Sequence, residues 1–288
     1  MPEACRNLSS AQLEAIQQRL ALIESLLPDL EKEIIALQTQ QTENTTHQTK
    51  SNHFDLVTEA DLHSEKTLTT AIAKHFPKDA ILSEEGTDRK VVQGNDYTWV
   101  IDPIDGTVNY ANGLHHWGIS VGIISGQTVV GGIVSAPALN LRYRALYGNG
   151  ATRNGIPITV STKDQLSKGV IVTGFPYDRA QRAEPLSRAL ANFLKVAGGV
   201  RRFGAASIDF CLVADGTLIG YYEMQLKPWD MAAGLLIASE AGAKITDFKG
   251  KAIELFESHG VVVANPKIHA AMLPLTAPML EAIAIDIQ

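Results

Sequence analysis

One short segment, WVIDPIDGT (Trp99–Thr107), constrains this chain more than any other. Its apolar, partly β-branched beginning predicts a buried strand. The strand then ends in two aspartates three residues apart, Asp102 and Asp105. Burying a carboxylate is costly unless a cation or hydrogen-bond donors accompany it, and here two arrive together. Either a cation lies between them, or the segment is an ordinary capped turn.

The composition excludes several classes of protein. The 288 residues are enough for one large α/β domain or two smaller ones. A formal net charge of -6 argues against a general nucleic-acid binder, which usually carries a basic patch. Two cysteines, Cys5 and Cys211, form neither a metal spacing nor a disulfide framework, which predicts free thiols. The first residues lack a secretory pattern, and no apolar run approaches the ~18 residues of a membrane span. We therefore expect a cytoplasmic protein that binds no membrane.

Hydrophobic periodicity predicts three parts, which we expect to form one compact unit. Residues 1–53 hold N-terminal helices over positions 9–41, divided or kinked at Pro28, and then a polar loop. Residues 54–165 form the α+β part that carries the acidic segment, with an antiparallel meander of strands. Strands alternate with helices in residues 166–288, a mixed α/β part. The fold class is therefore α/β, layered in the α+β manner.

Acidic residues recur where the predicted elements meet: Asp55, Asp61, Glu84, Glu85, Asp102, Asp105 and Asp230. Most have ordinary explanations when taken alone. Asp61 completes a capping pattern at a helix start, and Asp230 precedes an apolar helix as an N-cap would. Asp102 and Asp105 are harder to dismiss, because their spacing can aim both carboxylates and the carbonyl of Ile104 at one point. Such an all-oxygen set suits Mg²⁺ or Mn²⁺.

Gly106 and Thr107 open a short helical turn, whose free N–H groups suit an anion. Metal-assisted phosphoryl transfer requires a hard cation next to a phosphate-binding site, and this segment offers groups for both. From this local pattern alone, a functional site and a capped turn both stay open. The pair His115–His116 is explained without a metal, because adjacent side chains on a strand point apart. The basic pair Arg201–Arg202 is interpreted as a solvated turn.

Several motifs together resemble the inositol monophosphatase family, within the larger group of lithium-sensitive, Mg²⁺-dependent phosphomonoesterases. The resemblance runs in order from about Phe54 to Asn265. Its motifs are DLVTEAD (Asp55–Asp61), SEEG (Ser83–Gly86), WVIDPIDGTVNY (Trp99–Tyr110), GFPYDR (Gly174–Arg179), GAAS (Gly204–Ser207) and YYEMQLKPWDMAAG (Tyr221–Gly234). The resemblance implies a sugar-phosphatase fold of alternating helix and sheet layers. It also implies two or three Mg²⁺ ions and a homodimer.

The resemblance further implies roles for individual residues. The metal ligands would be Glu84, Asp102, Asp105 and Asp230, with the carbonyl of Ile104. Glu84 and Thr107 would position and activate the attacking water. Asp55 would accept a hydrogen bond from Thr107, and the backbone of Gly106 and Thr107 would receive the phosphate. The alcohol part of the substrate would contact Asp105, Gly204, Ala206 and Glu223.

The predicted activity is hydrolysis of a small phosphate monoester, with myo-inositol monophosphate as the first choice. Alternatives within the same chemistry are a histidinol-phosphate phosphatase, a fructose-1,6-bisphosphatase and a 3′(2′),5′-bisphosphate nucleotidase. Residues around GFPYDR and Glu223 would distinguish them. An alternative of another class is a non-catalytic or moonlighting regulatory binding protein. Loss of a metal ligand would favour that alternative, and every expected ligand is present.

Overall fold

The part of the chain described by the computed structural model comprises residues 8–41, 48–49, 56–86, 96–257 and 260–285. Cys5, Asp55 and much of the predicted polar loop lie outside the described residues. The helices, in chain order, are α1 (Ser10–Gln41), α2 (Glu59–His75), α3 (Thr107–Ala111), α4 (Ala183–Leu194), α5 (Ala206–Ala214), α6 (Pro228–Glu240), α7 (Pro266–Met272) and α8 (Ala277–Ala284). No helix in this part combines the length and the apolar character that crossing a bilayer requires.

The strands form two larger sheets and one short pair in the described part of the chain. The first sheet has the order β3-β4-β5-β6-β7-β8-β9; β3 and β4 are parallel, and the other pairs are antiparallel. It comprises β3 (Ala80–Ser83), β4 (Thr98–Asp105), β5 (Gly118–Ser125), β6 (Thr128–Ala136), β7 (Leu141–Leu146), β8 (Ala151–Arg153) and β9 (Ile156–Pro157). The predicted antiparallel meander is thereby confirmed in β5, β6 and β7.

The second sheet is mixed, with the order β11-β10-β12-β14-β13. It comprises β10 (Val170–Thr173), β11 (Gly199–Arg201), β12 (Gly220–Met224), β13 (Lys244–Thr246) and β14 (Gly260–Ala264). Strand β10 runs parallel to both β11 and β12, whereas β14 runs antiparallel to β12 and β13. The short antiparallel pair is β1 (Gln48–Thr49) with β2 (Leu56–Val57).

Three apolar cores hold these elements in layers. One core joins α1 and α2 to the seven-stranded sheet. A second lies between the two sheets and contains the apolar helices α5 and α6. A third joins the five-stranded sheet to α4, α7 and α8. The order helix, sheet, helix, sheet, helix confirms the predicted alternation of layers.

Helix α1 corrects one prediction, because it continues through Pro28 as a single element of 32 residues. Pro28 lies on the exposed face, whereas Ile23, Leu27 and Leu30 are buried on the other face. Proline removes one backbone hydrogen bond, but the apolar stripe on both sides of it packs on the same core. Tertiary packing therefore outweighs the local preference: the predicted division at Pro28 is wrong, and the alternative of a kink stays a prediction.

Candidate active site

Asp102 and Asp105, at the end of β4, reach the same face of the seven-stranded sheet. Asp102 lies opposite Ser120 of β5, and Asp105 lies opposite Gly118. The three residues that separate the aspartates along β4 are therefore paired with only two along β5, which makes a β-bulge in β4. Residues three apart on a regular strand point to opposite faces, and the extra residue of this bulge cancels that difference. The hydroxyl of Ser120 donates a hydrogen bond to the carbonyl of Trp229 in α6, 3.3 Å away. Both carboxylates therefore face the central helices.

The carboxylate of Asp105 caps the N-terminus of α5. It accepts hydrogen bonds from the backbone N–H of Ala206 at 3.2 Å and of Ser207 at 2.7 Å, and from the Ser207 hydroxyl at 2.5 Å. Burial raises the pKa of Asp105, while the hydrogen bonds from Ser207 and the nearby His116 act to lower it. One predicted metal ligand is thereby tied to Ala206, a predicted substrate contact.

The predicted acidic ligands lie in one neighbourhood, although they come from separate elements. Burial, followed by the carboxylates of Glu84, Asp105 and Asp230, raises the pKa of Asp102 well above its usual range. Burial, Glu84 and Asp105 do the same for Asp230, whose carboxylate accepts a hydrogen bond from the N–H of Lys227 at 2.7 Å. Each charge therefore opposes ionisation of its neighbours.

This donor set fits a hard divalent cation. Among the described residues, no lysine or arginine forms an ion pair with Asp102, Asp105 or Asp230. Their charge is therefore left for another cation to balance, and carboxylate and carbonyl oxygens are the ligands that Mg²⁺ prefers. Within the same part of the chain, no three acidic, histidine or cysteine side chains lie together in an arrangement that could hold a metal ion as it stands. The ligand assignment therefore stays a prediction.

The hydroxyl of Thr107 lies beside a buried carboxylate. Its oxygen is 3.1 Å from Oδ1 of Asp61 and 3.0 Å from the carbonyl oxygen of Ile104. The other oxygen of Asp61 accepts hydrogen bonds from the N–H and hydroxyl of Thr58, at 2.8 and 2.5 Å, which confirms the predicted capping box of α2. Burial raises the pKa of Asp61 to about 6, against the lowering effect of the Thr58 bonds.

Asp61 therefore has a second contact, with the Thr107 hydroxyl, beyond its predicted place in the capping box of α2. The resemblance implies that Asp55 accepts the hydrogen bond from Thr107, but Asp55 lies outside the described residues. In the described part of the chain, the carboxylate at this hydroxyl is Asp61. One side chain both caps the start of α2 and contacts the first residue of α3. Its position six residues after Asp55 within DLVTEAD was the available signal.

Gly106 precedes α3 in a left-handed conformation, with φ of 87°. A side chain there would be strained and also crowded. An added Cβ would lie 3.0 Å from the Cβ of Ala205 and 3.1 Å from the carbonyl oxygens of Gly204 and His116. The turn after β4 is thus packed closely against the loop before α5. The predicted phosphate-binding and alcohol-binding segments are therefore neighbours.

Glu84 follows β3 and stays attached to β4, because its N–H donates to the carbonyl of Ile101 at 3.1 Å. The loop that carries it is held by Glu65 of α2. The Glu65 carboxylate accepts hydrogen bonds from the Ser83 hydroxyl at 2.7 Å and from the N–H of Glu85 at 3.0 Å. Glu65 is not among the predicted site residues. Its position four residues after Asp61, on the same helix face, was the signal.

Glu223 lies within β12 rather than in a solvated loop. Its carboxylate accepts a hydrogen bond from the Tyr221 hydroxyl at 2.5 Å, and both side chains share one face of the strand. Burial raises the pKa of Glu223 to about 8, although the bond from Tyr221 and the charge of Arg202 act to lower it. The buried charge of Asp209 also raises it. The structure therefore places Glu223 against the central helix layer.

A histidine–aspartate pair beside this region was also missed. The Nε2 atom of His116 lies 3.2 Å from Oδ1 of Asp209, and its ring stacks on Phe203 with centroids 4.6 Å apart. Burial lowers the pKa of His116 to about 4. The partner of His116 comes from α5, 93 residues later in the chain. No local pattern connects two residues at that separation.

The alternating layers and the acids at the end of β4 match one known class, the phosphatases of small molecules. A sequence profile described as the inositol monophosphatase family matches residues 20–281. The chain belongs to this family.

The chain has relatives in plants and bacteria. The chain is 37% identical over 235 residues to "Phosphatase IMPL1, chloroplastic" of Arabidopsis thaliana, a match that covers 79% of this chain but 62% of that protein's length. It is 38% identical over 230 residues to "Nus factor SuhB" of Pasteurella multocida, covering 78% and 84% of the two chains. It is 38% identical over 222 residues to "Inositol-1-monophosphatase" of Synechocystis, covering 77% of each.

Solved structures share the fold. The Thermotoga maritima IMPase superimposes with a TM-score of 0.82 at 31% identity, covering 93% of this chain and all of that one (100%). An IMPase/NADP phosphatase complexed with Mg²⁺ and phosphate gives 0.78 at 26% identity, with coverage of 91% and 95%. A staphylococcal inositol monophosphatase, solved as a LiCl-soaked inhibitory complex, gives 0.79 at 26% identity, with coverage of 90% and 94%. Family and neighbours together support phosphomonoesterase activity and divalent-metal dependence.

Proposed function

We propose that this protein is an Mg²⁺-dependent phosphatase whose substrate is myo-inositol monophosphate. The observation that carries the proposal is the bulge in β4, which turns Asp102 and Asp105 to one face, where no lysine or arginine among the described residues forms an ion pair with either of them. Glu84, Asp230 and the carbonyl of Ile104 would complete the oxygen ligands. When bound, Mg²⁺ supplies charge neutralisation, water activation and stabilisation of the leaving alkoxide.

The protein's own groups would hold the substrate and the attacking water. The N–H groups of Gly106 and Thr107 would bind the phosphate oxygens, because they open a helical turn. Glu84 would position the water. The Thr107 hydroxyl would accept the water's proton as it releases its own toward Asp61, 3.1 Å away. The pKa of Asp61, raised to about 6, makes that carboxylate a stronger base than an ordinary aspartate.

The alcohol would leave toward the loop before α5 and the face of β12. Gly204 and Ala206 lie at the first of these, where the side chain of Asp105 reaches them from the end of β4, and Glu223 lies on the second. A polyhydroxylated ring offers donors to such carboxylates, which favours inositol monophosphate over a simple phosphate ester. The Synechocystis relative named inositol-1-monophosphatase supports this choice.

Phosphate release from a substrate panel tests the proposal. The panel is inositol 1-phosphate, histidinol phosphate, fructose 1,6-bisphosphate, a 3′,5′-bisphosphate nucleotide, NADP and 2-glycerophosphate, each with Mg²⁺ and with excess chelator. We expect the highest kcat/KM for inositol 1-phosphate, no turnover in chelator, and inhibition by Li⁺, as supported by the staphylococcal complex. Full turnover without metal would refute the mechanism. A better substrate elsewhere in the panel would refute the substrate assignment.

A regulatory function is the second candidate, because a relative at 38% identity carries the name Nus factor SuhB. Asp102→Asn separates the two, because it removes a predicted metal ligand that a regulatory function without turnover would not need. If the variant restores growth to a bacterial strain that lacks its own SuhB, the regulatory function does not need turnover. If only the wild type restores growth, the phosphatase activity accounts for the phenotype. Sedimentation of the same two proteins tests the homodimer that the resemblance implies.

A further inference from the structure

Gly174 lies directly beside the carboxylate of Glu223. It follows the last residue of β10, and β10 is the parallel neighbour of β12, with Thr173 opposite Tyr222. A Cβ added at Gly174 would lie 2.0 to 2.1 Å from both carboxylate oxygens and the carboxyl carbon of Glu223. The carboxylate therefore occupies the space that a side chain at position 174 would take.

The backbone at Gly174 does not itself demand glycine. Its φ lies outside the left-handed region, unlike those of Gly106 and Gly204. The three atoms nearest to an added Cβ all belong to the flexible end of Glu223, whereas a Cβ at Gly118 would meet the backbone oxygen of Ser135 at 2.8 Å. An alanine at position 174 would therefore displace one carboxylate and leave the backbone in place.

A hydrogen bond fixes the present position of the Glu223 carboxylate, which a side chain at position 174 would take from it. Its carboxylate accepts the hydrogen bond of the Tyr221 hydroxyl, and Tyr221 is fully buried behind it. Displacement would break that bond and turn the carboxylate away from the side of β12 that faces α5. A side chain at position 174 would thus act on Glu223 first, because the three atoms nearest to its Cβ all belong to that carboxylate.

We propose that Gly174 is a positioning residue for substrate preference, because its missing side chain gives the Glu223 carboxylate its place in the alcohol-binding region. This inference rests on the proposed function, in which Glu223 accepts hydrogen bonds from substrate hydroxyls. It extends that function to a residue that contacts no substrate. Gly174 would favour polyhydroxylated alcohols and leave the cleavage step unchanged.

The test compares Gly174→Ala, Glu223→Ala and the double variant with the wild type on the substrate panel above. At roughly pH 9 the Glu223 carboxyl is ionised even with its pKa raised to about 8. Hydrogen bonds to this charged group then correspond to about 10- to 100-fold in kcat/KM, and we expect each single variant to lose that much on inositol 1-phosphate at that pH. On 2-glycerophosphate, which offers fewer hydroxyls, the loss should stay below about threefold. The double variant should be no worse than Glu223→Ala, because both changes remove the same contact.

Gly199→Ala is the matched control. Gly199 begins β11 in the same sheet, its φ also lies outside the left-handed region, and an added Cβ would come no closer than 3.3 Å to a neighbouring atom. This variant should match the wild type on every substrate. Equal losses on all substrates in Gly174→Ala, or losses that multiply in the double variant, would overturn the role of Gly174 while leaving the phosphatase proposal standing. A wild type inactive on the whole panel would instead refute the proposed function, and this inference with it.

Discussion

Acidification should destabilise the protein through one buried histidine, His269 of α7. Its Nε2 atom lies 2.9 Å from the hydroxyl of Thr246, which itself donates to the carbonyl of Asp247 at 2.8 Å. Because that hydroxyl has a single proton, the ring must donate to it, and Nε2 carries the hydrogen. The other ring nitrogen, Nδ1, is buried without a hydrogen-bond partner among the described residues. Protonating it would place a charged, unpaired N–H group in the core.

The size of the effect follows from the pKa. Burial, assisted by the charge of Lys244, lowers the pKa of His269 from 6.5 to about 4. A lowered pKa means that the unfolded chain binds the proton more tightly, so stability is present above pH 6.5 and is lost as the pH falls toward 4. At 1.36 kcal/mol for each pKa unit, the full loss is about 3 kcal/mol. Roughly 2 kcal/mol of it should be lost between about pH 7.5 and about pH 5.

Urea unfolding at those two pH values, for the wild type and His269→Gln, measures this loss. Glutamine can still donate an N–H to Thr246, but it does not titrate. The wild type should lose about 2 kcal/mol more than the variant on acidification. His116, whose pKa is also lowered to about 4, is present in both proteins and cancels in the difference. Equal losses would show that His269 is protonated in the folded protein near its ordinary pKa and would refute the argument.

Three further changes test the site and its support. Asp102→Asn should abolish phosphate release yet raise the melting temperature of the metal-free protein, because it removes a buried charge repelled by its neighbours; retained turnover would contradict the ligand role. Thr107→Ala should lower kcat about 10²- to 10⁴-fold, and a change below about threefold would show that the hydroxyl is dispensable. Gln38→Leu should cost about 2–4 kcal/mol in unfolding free energy, because the Gln38 amide donates to the carbonyls of Tyr110 and Leu114 beneath α3; a loss below about 1 kcal/mol in a denaturant titration would refute that support.

Local patterns were sufficient for much of the fold. The capping box at Thr58 and Asp61, the meander and the buried strand before Asp102 all follow from residue type and spacing, and the structure confirms them. Pro28 shows the limit of such patterns. A helix breaker has a local cost, and the sequence does not show how much apolar surface its neighbours bury against a distant sheet.

The sequence by itself determined which chemical groups are available. The acidic residues at positions 84, 102, 105 and 230, and the spacing between them, are part of the primary structure and are recognisable there. Only the tertiary structure decided how those groups face one another. The bulge that turns Asp102 and Asp105 to the same face is defined only by the pairing of β4 with β5. Asp105 accepts a hydrogen bond from Ser207, which lies on a helix 102 residues later in the chain. Likewise, Gly174 and Glu223 become neighbours only because β10 and β12 pair. Such contacts depend on sheet register and on the packing of layers. Both result from the sum of interactions along the whole chain, so no short stretch of residues encodes them.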